Sequence, residues 1–303
     1  MRILVTGASG LLGLNLCLHL AEGHQIIGAL HSQKLVEPPF QTIEIDLTKD
    51  RLLESLIKKS RPDLMIHCAA MANVDACESH PEEALRINTE IPGSLAALCK
   101  KTGIRLVHIS TDAVFDGKMG DYAEEDSPNP LSVYARTKLD GECLVSAEYP
   151  EAIIARVNFY GFSLSGKRSL SEFFLNNLTA GNPVNGFVDV MFCPLYVIDL
   201  VDTLMAMVHK ELHGLYHVVS PEALSKYAFG INIAEKFGLD KSLIQPKSVS
   251  EVGLLAARSP RLTLNIDKLK AAEIVPSGQA ECLAHFHSHY LENLPEKIQE
   301  LAG

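Results

Sequence analysis

Residues 1–13 read Met1-Arg2-Ile3-Leu4-Val5-Thr6-Gly7-Ala8-Ser9-Gly10-Leu11-Leu12-Gly13. A short β-rich run, Ile3 to Val5, enters a turn carrying glycine at 7, 10 and 13. An apolar-periodic segment, Leu14 to Leu20, follows and closes near Gly23. Strand, glycine turn and helix in that order make a phosphate cradle. Gly7 allows the tight turn, Gly10 lets the backbone approach an anion with no Cβ in the way, and Gly13 lets the helix pack closely. Free N–H groups at the helix start then face the anion, so Ser9, Gly10, Leu11 and Leu12 form its binding turn.

Outward from this unit the pattern repeats. Further β-rich runs lie at Ile26 to Leu30, Thr42 to Ile45, Leu64 to His67, Leu106 to Ile109 and Ile153 to Val157, with longer helical patterns between them. That alternation predicts an α/β fold, a Rossmann-type doubly wound parallel sheet. Leu64–His67 and Leu106–Ile109 are nearly continuous apolar runs, as strands covered on both faces require. Pro81 suits a first helical position, Glu82 and Glu83 its first turn, and Lys100, Lys101 and Gly103 its end; Pro92 inside the pattern should kink or restart the helix. After about residue 158 the alternation stops. A helix at Val197 to Val208 and a strand at Gly214 to Val219 return the chain to the sheet. The expected division is a dinucleotide-binding domain of residues 1–158 plus about 190–219. Residues of about 159–189 plus 220–303 then form a smaller, mostly helical substrate-binding domain.

Composition narrows the function. The 303 residues are 47% hydrophobic and 21% charged, which excludes disorder, collagen and coiled coil. The formal charge of −10, without a Lys/Arg-rich segment, disfavours nucleic-acid phosphates and acidic lipid surfaces as partners. No apolar run reaches the roughly 20 residues of a membrane span and no signal-peptide pattern is present, so a cytoplasmic location is expected. Seven cysteines are scattered without a C-x-x-C pair and read as reduced core residues.

The end of the second strand reads His31-Ser32-Gln33-Lys34, without the acid that bonds an adenosine ribose in many dinucleotide folds. Ser32 and Lys34 could instead hold a 2′-phosphate, which favours NADP(H) while leaving NAD(H) open. Asp46 after the third strand reads as a helix N-cap for the segment to Lys59. Tyr134 and Lys138, four residues apart on one helix, share a face. An ammonium close to a phenol favours the phenolate and lowers its pKa, so the tyrosine could exchange a proton with a carbonyl oxygen. The fifth strand runs into Ser110-Thr111-Asp112, placing the Thr111 hydroxyl at a strand's carboxyl end, where ligands bind in such sheets.

The G-x-x-G-x-x-G turn, Thr111 and the Tyr134/Lys138 pair together resemble the extended short-chain dehydrogenase/reductase superfamily. Within it the chain is similar to dTDP-4-dehydrorhamnose reductases in Cys68-Ala69-Ala70, Asn73 to Glu78, Ser110 to Gly117, Asn129 to Glu142, and Arg258-Ser259-Pro260-Arg261 with Leu264 to Leu269. The resemblance implies NAD(P)H-dependent reduction of a nucleotide-linked 4-keto-6-deoxy sugar, with Thr111, Tyr134 and Lys138 catalytic and a homodimer compatible. It also implies that Asp46-Leu47 is the adenine contact, a role compatible with the cap, that Ala69, Ala70 and Met71 line the nicotinamide-side ribose, that Asn88 sits near Lys138 and that Ser110 lies on the cofactor side. Asp112, Val114, Phe115, Asn158, Arg258 and Arg261 are its substrate-side candidates. Two departures fall on that side: Ala113 replaces the tyrosine of S-T-D-Y-V-F, and Asp189 to Leu195 replaces a Q-x-G-x-P-T signature. Arg258, Arg261 and Lys268 either clamp a nucleotide diphosphate or are surface charges.

The same resemblance extends to an NADP-binding regulatory subunit, methionine adenosyltransferase β, and to sugar-nucleotide epimerases and dehydratases that keep their cofactor. Cys282, His285 and His289 could share a helix face, but no fourth ligand has motif spacing, so no metal is expected. No G-x-S-x-G elbow supports serine hydrolysis.

Overall fold

A computed structural model describes residues 1–251 and 259–302 of the chain. β1 (Arg2–Thr6), β2 (Gln25–Leu30), β3 (Gln41–Glu44), β4 (Leu64–His67), β5 (Arg105–Thr111) and β6 (Ile153–Val157) share one sheet with the strand Gly214–Val218. The order is β3-β2-β1-β4-β5-β6 followed by Gly214–Val218, and every neighbouring pair is parallel. Strand order reverses between β1 and β4, so a crevice opens beyond their carboxyl ends.

Helices cover both faces because the central strands are apolar throughout. On one side Leu14 and Leu16 of α1 (Leu11–Leu20) join Leu200 and Leu204, from the helix Val197–His209, in a core with Val107. On the other, Leu53 and Leu56 of α2 (Asp50–Ser60) join Ile91, Leu95 and Val145. No helix among the described residues is long and apolar enough to cross a membrane.

The segment from Pro81 to Gly103 shows what Pro92 does. α3 (Val74–Ser79) precedes α4 (Pro81–Leu85), a π-helical turn spans Arg86–Glu90, and α5 (Ile91–Thr102) takes Pro92 into its first turn. Proline has no N–H to donate and its ring clashes with the preceding turn, so the wider turn absorbs it without ending the rod. Gly103, at φ 69°, closes α5. The π turn buries Asn88 and Thr89 against α6 (Val133–Glu148), whose N-cap Ser132 accepts from the Ala135 N–H. There the two helices meet at Gly141, where a Cβ would lie 2.2 Å from the Asn88 carbonyl oxygen.

Beyond β6 the chain is less purely helical than its sequence predicts. Phe159–Tyr160 pairs with Leu195–Tyr196, Val184–Phe187 with Ile244–Lys247, and Met191–Phe192 with both Leu224–Ser225 and Arg261–Leu262. Strands this short leave no readable alternation. Five cysteines are buried as expected, Cys68 is half-buried, and Cys143 is exposed on α6, against expectation.

A buried ionic cluster ties β5, α6 and β6 together. Arg156 donates through Nε and both Nη atoms, to Glu142 Oε1 and Oε2 and to the His217 ring, while Ser110 Oγ donates to Glu142 Oε1. Neither charge is left without a partner, which burial demands.

Gly141→Ala should destabilise the protein by about 1–3 kcal/mol or more, because the obstacle is backbone and both helices must separate. Gly93→Ala, whose Cβ meets only the Leu144 side chain, should cost less. Urea unfolding midpoints of the two variants check the ordering.

Candidate active site

The crevice at the strand-order reversal holds a cavity of about 380 Å³. Gly7, Ser9, Gly10 and Leu11 form its floor, His31 and Ser32 one end, Asp46 and Leu47 a side, and Ala69 and Ala70 the wall from β4. Each of these residues is predicted from sequence to bind the cofactor. A Cβ on Gly7 would lie 2.8 Å from Ala69 Cα and one on Gly13 2.3 Å from the Gly7 carbonyl oxygen, so both glycines are required by packing. Gly10 caps α1 with no side-chain hydrogen bond, leaving first-turn N–H groups for an anion. The donor set and the space fit a dinucleotide.

Other predicted cofactor residues sit elsewhere. Leu12 and Gly13 are buried beneath the turn. Lys34 does not line the cavity; its Nζ lies 2.9 Å from Glu44 Oε1, on the neighbouring strand. Asp46 does not cap α2, whose N-cap is Lys49; its Oδ1 instead accepts from both the backbone and the hydroxyl of Thr48. Those bonds hold its carboxyl below the usual range. Ser110 turns away to Glu142. Asn88 braces Met71, accepting from its N–H at 2.9 Å and donating to its carbonyl at 3.1 Å, and also donates to Thr137 beside Lys138.

Thr111, Tyr134 and Lys138 come together next to this cavity and do not line it. Thr111 ends β5, its hydroxyl accepting from the Ala113 N–H at 3.2 Å. Tyr134 and Lys138 lie one turn apart on α6. The lysine is buried, and its Nζ donates to the Ile109 carbonyl at 2.6 Å. Burial pulls it down to about 8, with the Glu142 and Cys68 charges opposing.

The phenol differs from the sequence reading. Burial pushes Tyr134 up to about 12, with the Asp112 and Cys77 charges acting the same way and a hydrogen bond with Thr111 opposing. Burial outweighs the effect that the helical spacing suggested, while Lys138, one turn on, donates to a β5 carbonyl. Beneath it His67 and His108 stack at 5.4 Å, and burial keeps both rings neutral, with the Lys138 charge acting in the same direction.

On the substrate side, Asp112 is buried and accepts from Asn158 Nδ2, so these two candidates form one unit. Val114 and Phe115 are corrections: both are fully buried, Phe115 stacked on Tyr122 at 4.1 Å, so neither can touch a ligand. The strand leaves β5 through a single 3-10 turn, Asp112–Val114, which swings their side chains into the core. Arg261 is exposed, its backbone N–H bonded to the Gly117 carbonyl. Arg258 lies outside the described residues. His285 and His289 are engaged by Asp199 and by the Tyr196 hydroxyl.

Sequence reading missed the cavity's far wall, made by Ser163, Leu164, Ser165, Arg168 and Ala302, and also His67, Cys68 and Thr48. The last three flank predicted residues and were within reach of the same reasoning. The far wall arrives from over 130 residues away; the loop signals at Ser163 and Ser165 mark that segment as substrate-facing, and nothing local assigns it to the cofactor cleft.

Burial pushes Asp112 up to about 6, with bonds from Asn158 and Thr111 opposing. A carboxyl whose folded pKa exceeds its unfolded value binds more protons when folded, so stability falls as pH rises from about 4 to 6. Asp112→Asn should flatten that fall by up to about 2–3 kcal/mol, read as the wild-type minus variant difference in urea unfolding at pH 4 and pH 7.

A family model described as the RmlD substrate binding domain matches residues 1–291. A probable low-salt glycan biosynthesis reductase, Agl14, of Haloferax volcanii is 36% identical over 277 residues, covering 89% of this chain and 91% of its own. A dTDP-4-dehydrorhamnose reductase of Mycobacterium tuberculosis is 32% identical over 286 residues, covering 91% and 88%. A crystal structure of dTDP-4-dehydrorhamnose reductase from Bacillus anthracis, in complex with NADP, superposes with a TM-score of 0.85 at 26% identity, covering 95% of this chain and 99% of that one. With a match spanning nearly its whole length, the chain belongs to the RmlD substrate-binding-domain family.

Proposed function

We propose that the protein is an NAD(P)H-dependent reductase of the short-chain type acting on a nucleotide-linked 4-keto-6-deoxy sugar, with NADPH the favoured donor. The observation that carries the reading is the convergence of Thr111, Tyr134 and buried Lys138 beside a glycine-floored dinucleotide cleft. The family relatives described as reductases support it. In this reading residues 1–158 with about 190–219 supply most of the dinucleotide cleft, loop 163–168 and Ala302 complete its wall, and the rest of the chain presents the sugar.

When bound, the reduced dinucleotide supplies a hydride to the carbonyl carbon. The glycine turn and α1 N-terminus would hold its diphosphate, and Ala69, Ala70 and Met71 would border the nicotinamide-side ribose. Tyr134 holds the proton that the carbonyl oxygen needs. A phenol near pKa 12 is fully protonated at neutral pH, so it is ready to donate as an acid. Thr111 hydrogen-bonds the same oxygen and fixes its direction. Lys138 keeps a positive charge close to the phenol, stabilising the phenolate left after donation. Asp112 and Asn158, joined by their hydrogen bond, present polar groups to the sugar.

Tyr134→Phe should lower kcat by roughly 10²- to 10⁴-fold, the loss expected for one general acid, with NADPH affinity falling by no more than the one ribose hydrogen bond, about 10-fold. A panel of dTDP-, GDP- and UDP-linked 4-keto sugars with NADPH and NADH, followed by dinucleotide absorbance, measures this and identifies the substrate. Undiminished turnover in the variant removes the role given to Tyr134. Dinucleotide binding without turnover on any sugar replaces the reductase by a regulatory subunit.

A further inference from the structure

Resting on the NADPH reading above, we infer that Arg168, on the far wall of the cleft, together with Ser32, binds the adenosine 2′-phosphate and sets the preference for NADPH over NADH. The cation that the sequence would assign to that phosphate is engaged elsewhere. Lys34 is held 2.9 Å from Glu44 Oε1 and does not line the cavity. Among the described lining residues Arg168 is the only arginine or lysine. Its backbone is fixed, since its N–H donates to Glu172 Oε2 at 2.9 Å and to Ser163 Oγ at 3.3 Å. Its guanidinium is exposed and has no partner among the described residues. A fixed backbone with an uncommitted guanidinium suits a planar fork that must meet a phosphate.

The fold places this residue at the adenosine end. Asn15 of α1 donates to the Phe162 carbonyl at 2.8 Å, anchoring the start of the loop over the glycine turn. Further along, a Cβ on Gly166 would meet the Gln299 side chain. The Val36 N–H donates to the Leu301 carbonyl at 2.9 Å, tying the chain end to the segment that follows Ser32. Loop 163–168, residues 299–302 and residues 31–36 therefore form one rim. The diphosphate is already served by the α1 N-terminus, which leaves the 2′-phosphate as the dianion in need of a cation. Two carboxylates, Asp46 and Glu83, also line the cavity. Asp46 keeps its charge, since its bonds from Thr48 favour the carboxylate, so a 2′-phosphate must sit on the Ser32 and Arg168 side of the rim, away from it.

Isothermal titration of the full chain with 2′,5′-ADP and with 5′-ADP separates the two phosphates without requiring turnover. Arg168→Gln should weaken 2′,5′-ADP about 10- to 100-fold, the loss of one charge-assisted contact, and leave 5′-ADP within about twofold. Arg168→Lys, which keeps the charge, should fall between, and Lys34→Ala should match wild type. Unchanged 2′,5′-ADP binding in Arg168→Gln overturns the inference, as does an equal loss for both ligands, which would place the arginine on the diphosphate. Wild-type protein that binds 5′-ADP as tightly as 2′,5′-ADP overturns it while leaving the dinucleotide cleft standing. Binding of neither ligand removes the cleft assignment as well.

Discussion

The backbone of Gly13 passes so close to the Gly7 carbonyl that a single methyl there would overlap it, at 2.3 Å. That contact sets where α1 starts, and so where its unpaired N–H groups point. Gly7, in the left-handed region at φ 69°, carries the same constraint across to β4, where its missing Cβ would strike Ala69. Turn, helix start and β4 end are thereby locked into one floor. The cleft exists because three glycines remove side chains from a place where backbones must meet.

Around this floor the protein keeps several ionisable groups out of water. Lys138 is tolerated because the Ile109 carbonyl and the nearby Glu142 charge compensate it. Glu142 is in turn shared with Arg156 and Ser110. Since β5 contributes Ile109, Ser110 and Thr111 in succession, one strand end aligns the lysine, the buried ion pair and the Thr111 hydroxyl. Rigidity of this kind favours positioning, which is most of what a hydride-transfer site must provide.

Much of this was legible in the chain. The central strands declared themselves as short apolar runs, the glycine turn by its spacing, and the Tyr134/Lys138 pair by helical periodicity. Pro92 correctly announced an irregularity, although the π turn that absorbs it depends on packing against Gly141 and could not be read locally. The errors share a cause. Lys34 looked available because Glu44 lies ten residues away, on a strand whose register only the sheet fixes. Val114 and Phe115 looked substrate-facing because position after a strand end does not reveal which way a 3-10 turn rotates them. The pKa of Tyr134 moves opposite to the sequence expectation because burial dominates it, and helical spacing does not reveal burial. Loop 163–168 was invisible as a cleft wall, since long-range folding brings it there.

The glycine floor and the Tyr134 acid must serve one site, the floor holding the dinucleotide and the tyrosine meeting the sugar's carbonyl oxygen beside its nicotinamide. A crystal structure with NADP+ measures this directly. The account predicts the diphosphate on the α1 N-terminus and a nicotinamide-ribose hydroxyl within about 2.6–3.2 Å of both Tyr134 Oη and Lys138 Nζ. A nicotinamide directed away from α6, with no ribose hydroxyl in reach of either group, would contradict it.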